Sequence, residues 1–285
     1  MSKVLTELVD LLALEKLEQN LFRGRSQDLG WGLVFGGQVL GQALSAAVQT
    51  LPADRVAHSI HAYFMRPGIA SKSIIYDVER IRDGKTFSNR RVVAIQDGRA
   101  IFSLSSSFQI PEEGFDHQTP MPASLGPEGL RNEAETWQSL KDKVPEKFHP
   151  IICADRPIEI RAVDPVDPLT PAQKSAEHKL WVRASGTLPD NAALHQYMLA
   201  YCSDFGFMTT AMRPHKATWL DRTMQVASID HAMWFHRPFR MDDWLLHCID
   251  SPSAYGARGL VRGSIYTRDG LLVASTAQEG LIRKR

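Results

Sequence analysis

Residues 66–109 read RPGIASKSIIYDVERIRDGKTFSNRRVVAIQDGRAIFSLSSSFQ, and residues 237–280 read RPFRMDDWLLHCIDSPSAYGARGLVRGSIYTRDGLLVASTAQEG. Both open on Arg-Pro (Arg66-Pro67, Arg237-Pro238), carry a glycine midway (Gly84, Gly256) and reach an Asp-Gly pair (Asp97-Gly98, Asp269-Gly270). From the proline to that aspartate the spacing is 30 residues in the first stretch and 31 in the second. An apolar run follows each Asp-Gly (IFSLSSSF, LLVASTAQ), and SIHAYFM and SIDHAMWFH lie just before the two Arg-Pro pairs. A repeat of this length points to duplication of a whole folding unit.

The two copies differ in polar groups. Setting the Arg-Pro pairs in register places Ser228 opposite Ala57, and setting the Asp-Gly pairs in register places Gln278 opposite Ser106. The second copy therefore reads as the carrier of chemistry, the first as a structural and binding half.

Working outward, each copy shows a charge-poor apolar helix followed by strands. In the first, Val39, Leu40, Ala43, Leu44, Ala47 and Val48 recur at helical spacing within residues 30–50, and Pro52 stops the pattern. Four extended runs follow, with Asp83-Gly84 and Asp97-Gly98 as hairpin turns. In the second, DRPIEIRAVD and EHKLWVRASG read as strands, and NAALHQYMLAYCSDFGFMTTAM as a helix with Asp190 as its N-cap. Four more strands follow. Between the copies, ten of the 16 prolines fall from Pro111 to Pro171, which marks a linker with one helix near Glu133–Lys143. The division is 1–110 for the first repeat, 111–154 for the linker and 155–285 for the second. The fold class is α+β, each antiparallel sheet wrapping one helix. The two sheets can join at their edges and so hide them.

The N-terminal segment, with Val4, Leu5, Leu8, Leu11, Leu12 and Leu17 mostly on one helical face, reads as an amphipathic helix packed on the body. Its acidic residues exclude a signal peptide or membrane span, and no later run is long enough to cross a bilayer. A net charge of +1 gives no field to attract nucleic acid or an acidic membrane. Cys153, Cys202 and Cys248 are widely spaced and odd in number, so they read as buried free thiols in a reducing compartment, the cytoplasm. No metal spacing and no cofactor motif is present.

Three polar side chains stand out. Asp204 lies in an apolar helix beside Tyr201, Cys202, Phe205 and Phe207, where a carboxylate is costly without partners. It reads either as a backbone-bonded helix-end residue or as a partly buried base for water. Ser228 lies in QVASIDHAMWF, a strand by its alternation, without the G-x-S-x-G surroundings of a nucleophile; orienting a water suits it better. Gln278, in the last strand, can donate and accept at once. Taken singly, Ser228 and Gln278 would read as ordinary strand residues. His231 and His236 fall on opposite faces of a regular strand and read as structural, although a triad of Ser228 with a histidine and an aspartate stays open. Gly36-Gly37 read either as a close approach of helix to sheet or as backbone N–H groups for a carbonyl oxygen.

Seven segments together resemble the bacterial acyl-CoA thioesterase II family: VFGGQVLGQAL (34–44), HSIHAYFMRPG (58–68), FSNRRVVAIQDG (87–98), DRPIEIR (155–161), HQYMLAYCSD (195–204), SIDHAMWFHRPF (228–239) and ASTAQEGLIR (274–283). The resemblance runs in order over the whole chain outside the linker. It implies a double hotdog fold and hydrolysis of acyl-CoA thioesters to free acid and CoA. It implies that Asp204, Ser228 and Gln278 hold and activate water, with serine at 228 where the family commonly has threonine. Acyl-CoA would be the substrate, with Gly36 and Gly37 as backbone oxyanion donors. Met198, Phe205, Phe207 and Met208 are candidate acyl-chain contacts, and Arg90, Arg91, Arg258 and Arg262 candidate phosphate contacts. Outer sheet faces would suit a homodimer or tetramer. A hotdog hydratase or dehydratase, and a non-catalytic acyl-CoA-binding module, are the competing readings.

Overall fold

The computed structural model describes residues 1–144, 146 and 149–285. Chain order is α1 (Lys3–Leu12), β1 (Glu15–Glu18), β2 (Leu21–Gly24), α2 (Gly36–Val48), β3 (Val56–Phe64), β4 (Ile74–Asp83), β5 (Phe87–Gln96) and β6 (Arg99–Gln109). After the linker helices α3 (Glu133–Ser139) and α4 (His149–Ile152) come β7 (Ile158–Ala162), β8 (Glu177–Ala184), α5 (Ala192–Ser203), α6 (Phe207–Met212), β9 (Met224–Ser228), β10 (Asp230–Phe235), β11 (Leu245–Tyr255), β12 (Arg258–Thr267) and β13 (Leu272–Lys284).

All the strands join one sheet in the order β1-β2-β4-β5-β6-β3-β10-β13-β12-β11-β8-β7, with β9 also paired to β13. Read from either end, the order is the same once β1–β6 are matched to their counterparts in the second half. The seam is the antiparallel pair β3–β10, where Ala62 faces His231 and Ile60 faces Met233. The two repeats thus share a continuous sheet, as their edges invited, and the architecture is the α+β double hotdog.

The turns follow the sequence. Asp97 and Gly98 both have positive φ and close the β5–β6 hairpin in two residues, as Gly256 and Ala257 close β11–β12. Inside the sheet, α2 and α5 run antiparallel in close contact. A Cβ on Gly37 would lie 2.1 Å from the Tyr201 carbonyl oxygen, and one on Gly41 2.9 Å from that of Tyr197. The charge-poor stretch around Gly37 and Gly41 is therefore the face on which the two helix backbones meet, rather than an approach of helix to sheet.

Three expectations need correction. The N-terminal helix ends at Leu12, and Leu17 lies exposed on the edge strand β1, paired to β2. Asn191, not Asp190, caps α5, its side-chain oxygen accepting from the N–H groups of Ala193 and Leu194, while the exposed Asp190 pairs with Arg240. Of the cysteines, which are all free, only Cys202 is buried; Cys153 and Cys248 are half-buried. Among the described residues no helix is long and apolar enough to cross a membrane, and no cluster of three or more potential ligands is built to hold a metal.

Candidate active site

The strand read as QVASIDHAMWF is broken at Ile229. On β9, Ser228 pairs with Gly280; on β10, Ala232 pairs with Ala277, so the register against β13 slips by one residue between them. One extra residue makes a bulge, which re-aims side chains that strict alternation would separate. Ser228 and His231, on opposite faces of a regular strand, both turn onto Gln278 of β13.

Gln278 is 1 % exposed. Its Nε2 donates to Ser228 Oγ at 2.9 Å, and Ser228 Oγ donates to Asp204 Oδ1 at 3.3 Å. Its Oε1 lies 2.6 Å from His231 Nδ1, and His231 Nε2 lies 3.0 Å from Ser203 Oγ. A buried carboxamide left unpaired would cost about 1–3 kcal/mol, and here both ends are bonded. Asp204 follows the last residue of α5 as its C-cap, so the helix end, not the helix interior, presents the carboxylate. Three separate elements thus bring Asp204, Ser228 and Gln278 within hydrogen-bonding reach. Burial holds the His231 imidazole below its usual range, against the opposing pull of the Asp204 carboxylate and of its bond to Gln278.

The first repeat completes the site. α2 starts against Asp204: a Cβ on Gly36 would lie 2.6 Å from Asp204 Oδ2 and 3.0 Å from the Phe64 ring. Glycine at 36 is what lets the carboxylate sit there. Phe35, the N-cap, offers no side-chain acceptor, so the first amides of α2 at Gly36 and Gly37 lack an intrahelical partner. Phe35 stacks on Phe205 at 4.6 Å and meets Tyr201 edge-on, forming an apolar wall beside Asp204. Phe205 and Met208 are half-buried on this side, whereas Met198 and Phe207 are fully buried in the core. Phe207 packs edge-on against both His231 and His247. A cavity of about 1560 Å³ opens elsewhere, between the start of α1, the linker and β7–β8, and none of the three polar residues lines it.

The four arginines do not reach the site. Arg90 is 1 % exposed, and its guanidinium bonds Thr50 Oγ1, Asp83 Oδ1 and the carbonyls of Thr50, Arg82 and Asn89. It seals the region beyond the end of α2. Arg91, Arg258 and Arg262 project from the outer face of the sheet, away from the helices, because the residues beside them (Arg90, Gly259, Val261) turn inward and sides alternate along a strand. Each is paired with a carboxylate there: Glu79, Glu279 and Asp250 respectively. His231 is the residue that sequence reasoning set aside. Only the register slip brings it to Gln278, and the signal that could have found it is the aligned repeat, which puts Ile60 at its position.

With that geometry in hand, comparison with known proteins gives a consistent result. The acyl-CoA thioesterase family model matches residues 153–281, and that of the acyl-CoA thioesterase N-terminal domain matches 25–109. Acyl-CoA thioesterase 2 of Haemophilus influenzae is 46 % identical over 283 residues, covering 99 % of both chains. Acyl-coenzyme A thioesterase 8 of Homo sapiens is 41 % identical, covering 96 % of this chain and 88 % of its own. A crystal structure of an acyl-CoA thioesterase II from Mycobacterium marinum superposes with a TM-score of 0.80 at 39 % identity, covering 98 % of each chain.

Proposed function

Because the chain belongs to the acyl-CoA thioesterase family, we propose that it hydrolyses acyl-CoA thioesters with Asp204 as general base and with Ser228 and Gln278 as the groups that hold the attacking water. The observation that carries this reading is the convergence of the three side chains from α5, β9 and β13, at 3.3 and 2.9 Å. A thioester carbonyl is electrophilic and a thiolate leaves readily, so a positioned water and a base suffice without an acyl-enzyme. Asp204 takes a proton from water as the oxygen adds to the carbonyl carbon. The tetrahedral oxyanion then collapses, the C–S bond breaks, and the proton held by Asp204 passes to the departing CoA thiolate. The amides of Gly36 and Gly37 are the proposed oxyanion donors, worth about 10²–10³-fold per donor in comparable sites.

In this reading the first repeat (1–110) supplies the glycine pair and the second (155–285), across the 111–154 linker, supplies the polar three. The Phe35, Phe205 and Met208 side chains border the acyl group near its carbonyl end. A hydratase needs a free base for C–H abstraction, often histidine. His231 has both ring nitrogens engaged within the protein, which disfavours that alternative. We place the enzyme in the cytoplasm as a homodimer or tetramer. The exposed Tyr63 and Trp234 on the outer face of the seam strands support self-association, and light scattering would measure it.

The test is thiol release from acyl-CoAs of graded length, run beside Asp204→Asn. Removing a general base typically costs about 10²–10⁴-fold. The variant should lose at least about 10²-fold in kcat while still binding acyl-CoA. Turnover at the native rate would remove Asp204 from the mechanism.

A further inference from the structure

We propose that His231 is a positioning residue that decides which end of the Gln278 carboxamide meets the reacting water. The inference rests on the water-holding role given to Gln278 above and goes beyond it. The two ends of a carboxamide have nearly the same shape but opposite hydrogen-bonding character. Only the surroundings choose between them.

The choice follows from the partners. The Asp204 carboxylate only accepts, so the Ser228 proton points to it and Ser228 Oγ must accept from the Gln278 NH₂; that turns Oε1 toward His231, and the 2.6 Å contact then requires a proton on Nδ1. Burial disfavours the imidazolium, so the neutral ring carries its proton at Nδ1 and leaves Nε2 as an acceptor. Ser203 Oγ stands 3.0 Å from Nε2. That hydroxyl also donates to the Ala200 carbonyl oxygen at 2.9 Å, so its one proton is shared between that oxygen and Nε2. The bonds then run one way: His231 Nδ1–H to Gln278 Oε1, Gln278 Nε2–H to Ser228 Oγ, Ser228 O–H to Asp204 Oδ1. A flipped amide would set its NH₂ against the imidazole N–H, donor facing donor. Gln278 therefore presents only its second N–H to the reaction. It can hold the water by a lone pair or polarise the thioester carbonyl, but it cannot take the water's proton, which leaves that task to Asp204.

The first repeat shows that the backbone does not need the imidazole. There β3 pairs with β6 through the same one-residue slip, between Ala57 and Ser59. Ala57 holds the place of Ser228, Ser106 that of Gln278, and Ile60, facing Ser106, that of His231. The bulge forms with isoleucine. The histidine is present only where the carboxamide is.

Three replacements of His231 separate this role from packing. His231→Asn puts an amide N–H where Nδ1 stood; His231→Gln moves it to where Nε2 stood; His231→Phe removes it. We expect the Phe and Gln variants to lose about 10- to 10²-fold in kcat with KM within about twofold, and the Asn variant to return to within about threefold of native. In a Gln278→Ala background, His231→Phe should cost less than about twofold, since two residues acting as a unit are not additive. Equal losses for Asn and Gln would overturn the proposal, as would an undiminished loss for Phe in the Gln278→Ala background. Should the Phe variant fail to fold, as unfolding midpoints would reveal, the Asn–Gln comparison decides. Native turnover in Gln278→Ala alone would instead sink the water-holding reading, and this inference with it.

Discussion

Replacing Gly36 by alanine sets a methyl group 2.6 Å from Asp204 Oδ2 and 3.0 Å from the Phe64 ring. Carbon and oxygen rest comfortably near 3.4 Å, so Oδ2 must retreat by about 0.8 Å. A carboxylate at the end of a short side chain can do this by swinging about its own bonds, at little cost to the fold. The proposed catalytic geometry has less slack. The bond from Ser228 to Oδ1 is already 3.3 Å, and a further few tenths of an ångström take it out of hydrogen-bonding range. A misplacement near 1 Å costs up to about 10²-fold in rate, so Gly36→Ala should lose roughly 10- to 10²-fold in kcat by that argument. Its unfolding midpoint should hold or rise, since alanine is the better helix former. Gly37→Ala is the control, because its methyl would lie 2.1 Å from the backbone oxygen of Tyr201, which has no freedom to swing. There α2 and α5 must move apart, and the loss should appear as stability, about 1–3 kcal/mol or more. Thiol release and urea unfolding, measured on both variants, separate the two outcomes. Native kcat in Gly36→Ala would show that the placing of Asp204 is not what the site depends on.

Ser228→Ala removes both the acceptor for Gln278 and the donor to Asp204, and should lower kcat at least about 10-fold; Ser228→Thr keeps the hydroxyl on a stiffer side chain and should match or exceed the native rate. Arg90→Met leaves the buried Thr50 hydroxyl and carbonyl oxygen without their donor, while the half-exposed Asp83 keeps its water; chemical unfolding should register a loss of about 1–3 kcal/mol, while the folded fraction keeps native kcat. Acid should destabilise the protein through His178 and His247, whose imidazoles burial pushes down to about 3 from the ordinary 6.5. Below pH 6.5 the unfolded chain takes up protons that the folded chain refuses, so the stability is full above that pH and drains away as pH falls toward 3. Each contributes about 2 kcal/mol of loss between pH 7 and 5. His178, whose two ring nitrogens are buried without partners, can be replaced by phenylalanine; urea midpoints at the two pH values should then show about half of that loss removed.

The fold was legible because its signals are local or periodic: the Asp-Gly turns, the charge-poor helices and the repeat itself. The site was legible in part. Ser228 and Gln278 came from the differences between the repeats, Asp204 from its place in an apolar helix, and all three from the family resemblance; the structure sets them within hydrogen-bonding reach. What stayed hidden depends on register. Two-residue alternation puts Ser228 and His231 on opposite faces, and no composition rule announces the single extra residue near Ile229 that undoes this. The arginines divide for a related reason. Arg90 and Arg91 are neighbours in sequence, yet a strand sends one into the interior and the other to solvent.

Duplication also accounts for there being one site of this kind in the described chain rather than two. Both repeats keep the bulge and the inward positions that face it. In the second, those positions hold Ser228, His231 and Gln278, and Val261 opposite Gln278 leaves room for them. In the first, Arg90 stands opposite Ser106 and its guanidinium fills the space with bonds to Thr50 and Asp83. A buried guanidinium is tolerated only when its donors are met, so that pocket is committed to structure. Yet the first repeat is not a bystander, since Gly36 at the head of α2 closes on Asp204. Each half therefore supplies what the other has given up: the first a helix start without side chains, the second the polar groups that face it. Separating the halves should abolish turnover even if each folds, because the carboxylate and the proposed oxyanion amides of Gly36 and Gly37 would then belong to different molecules.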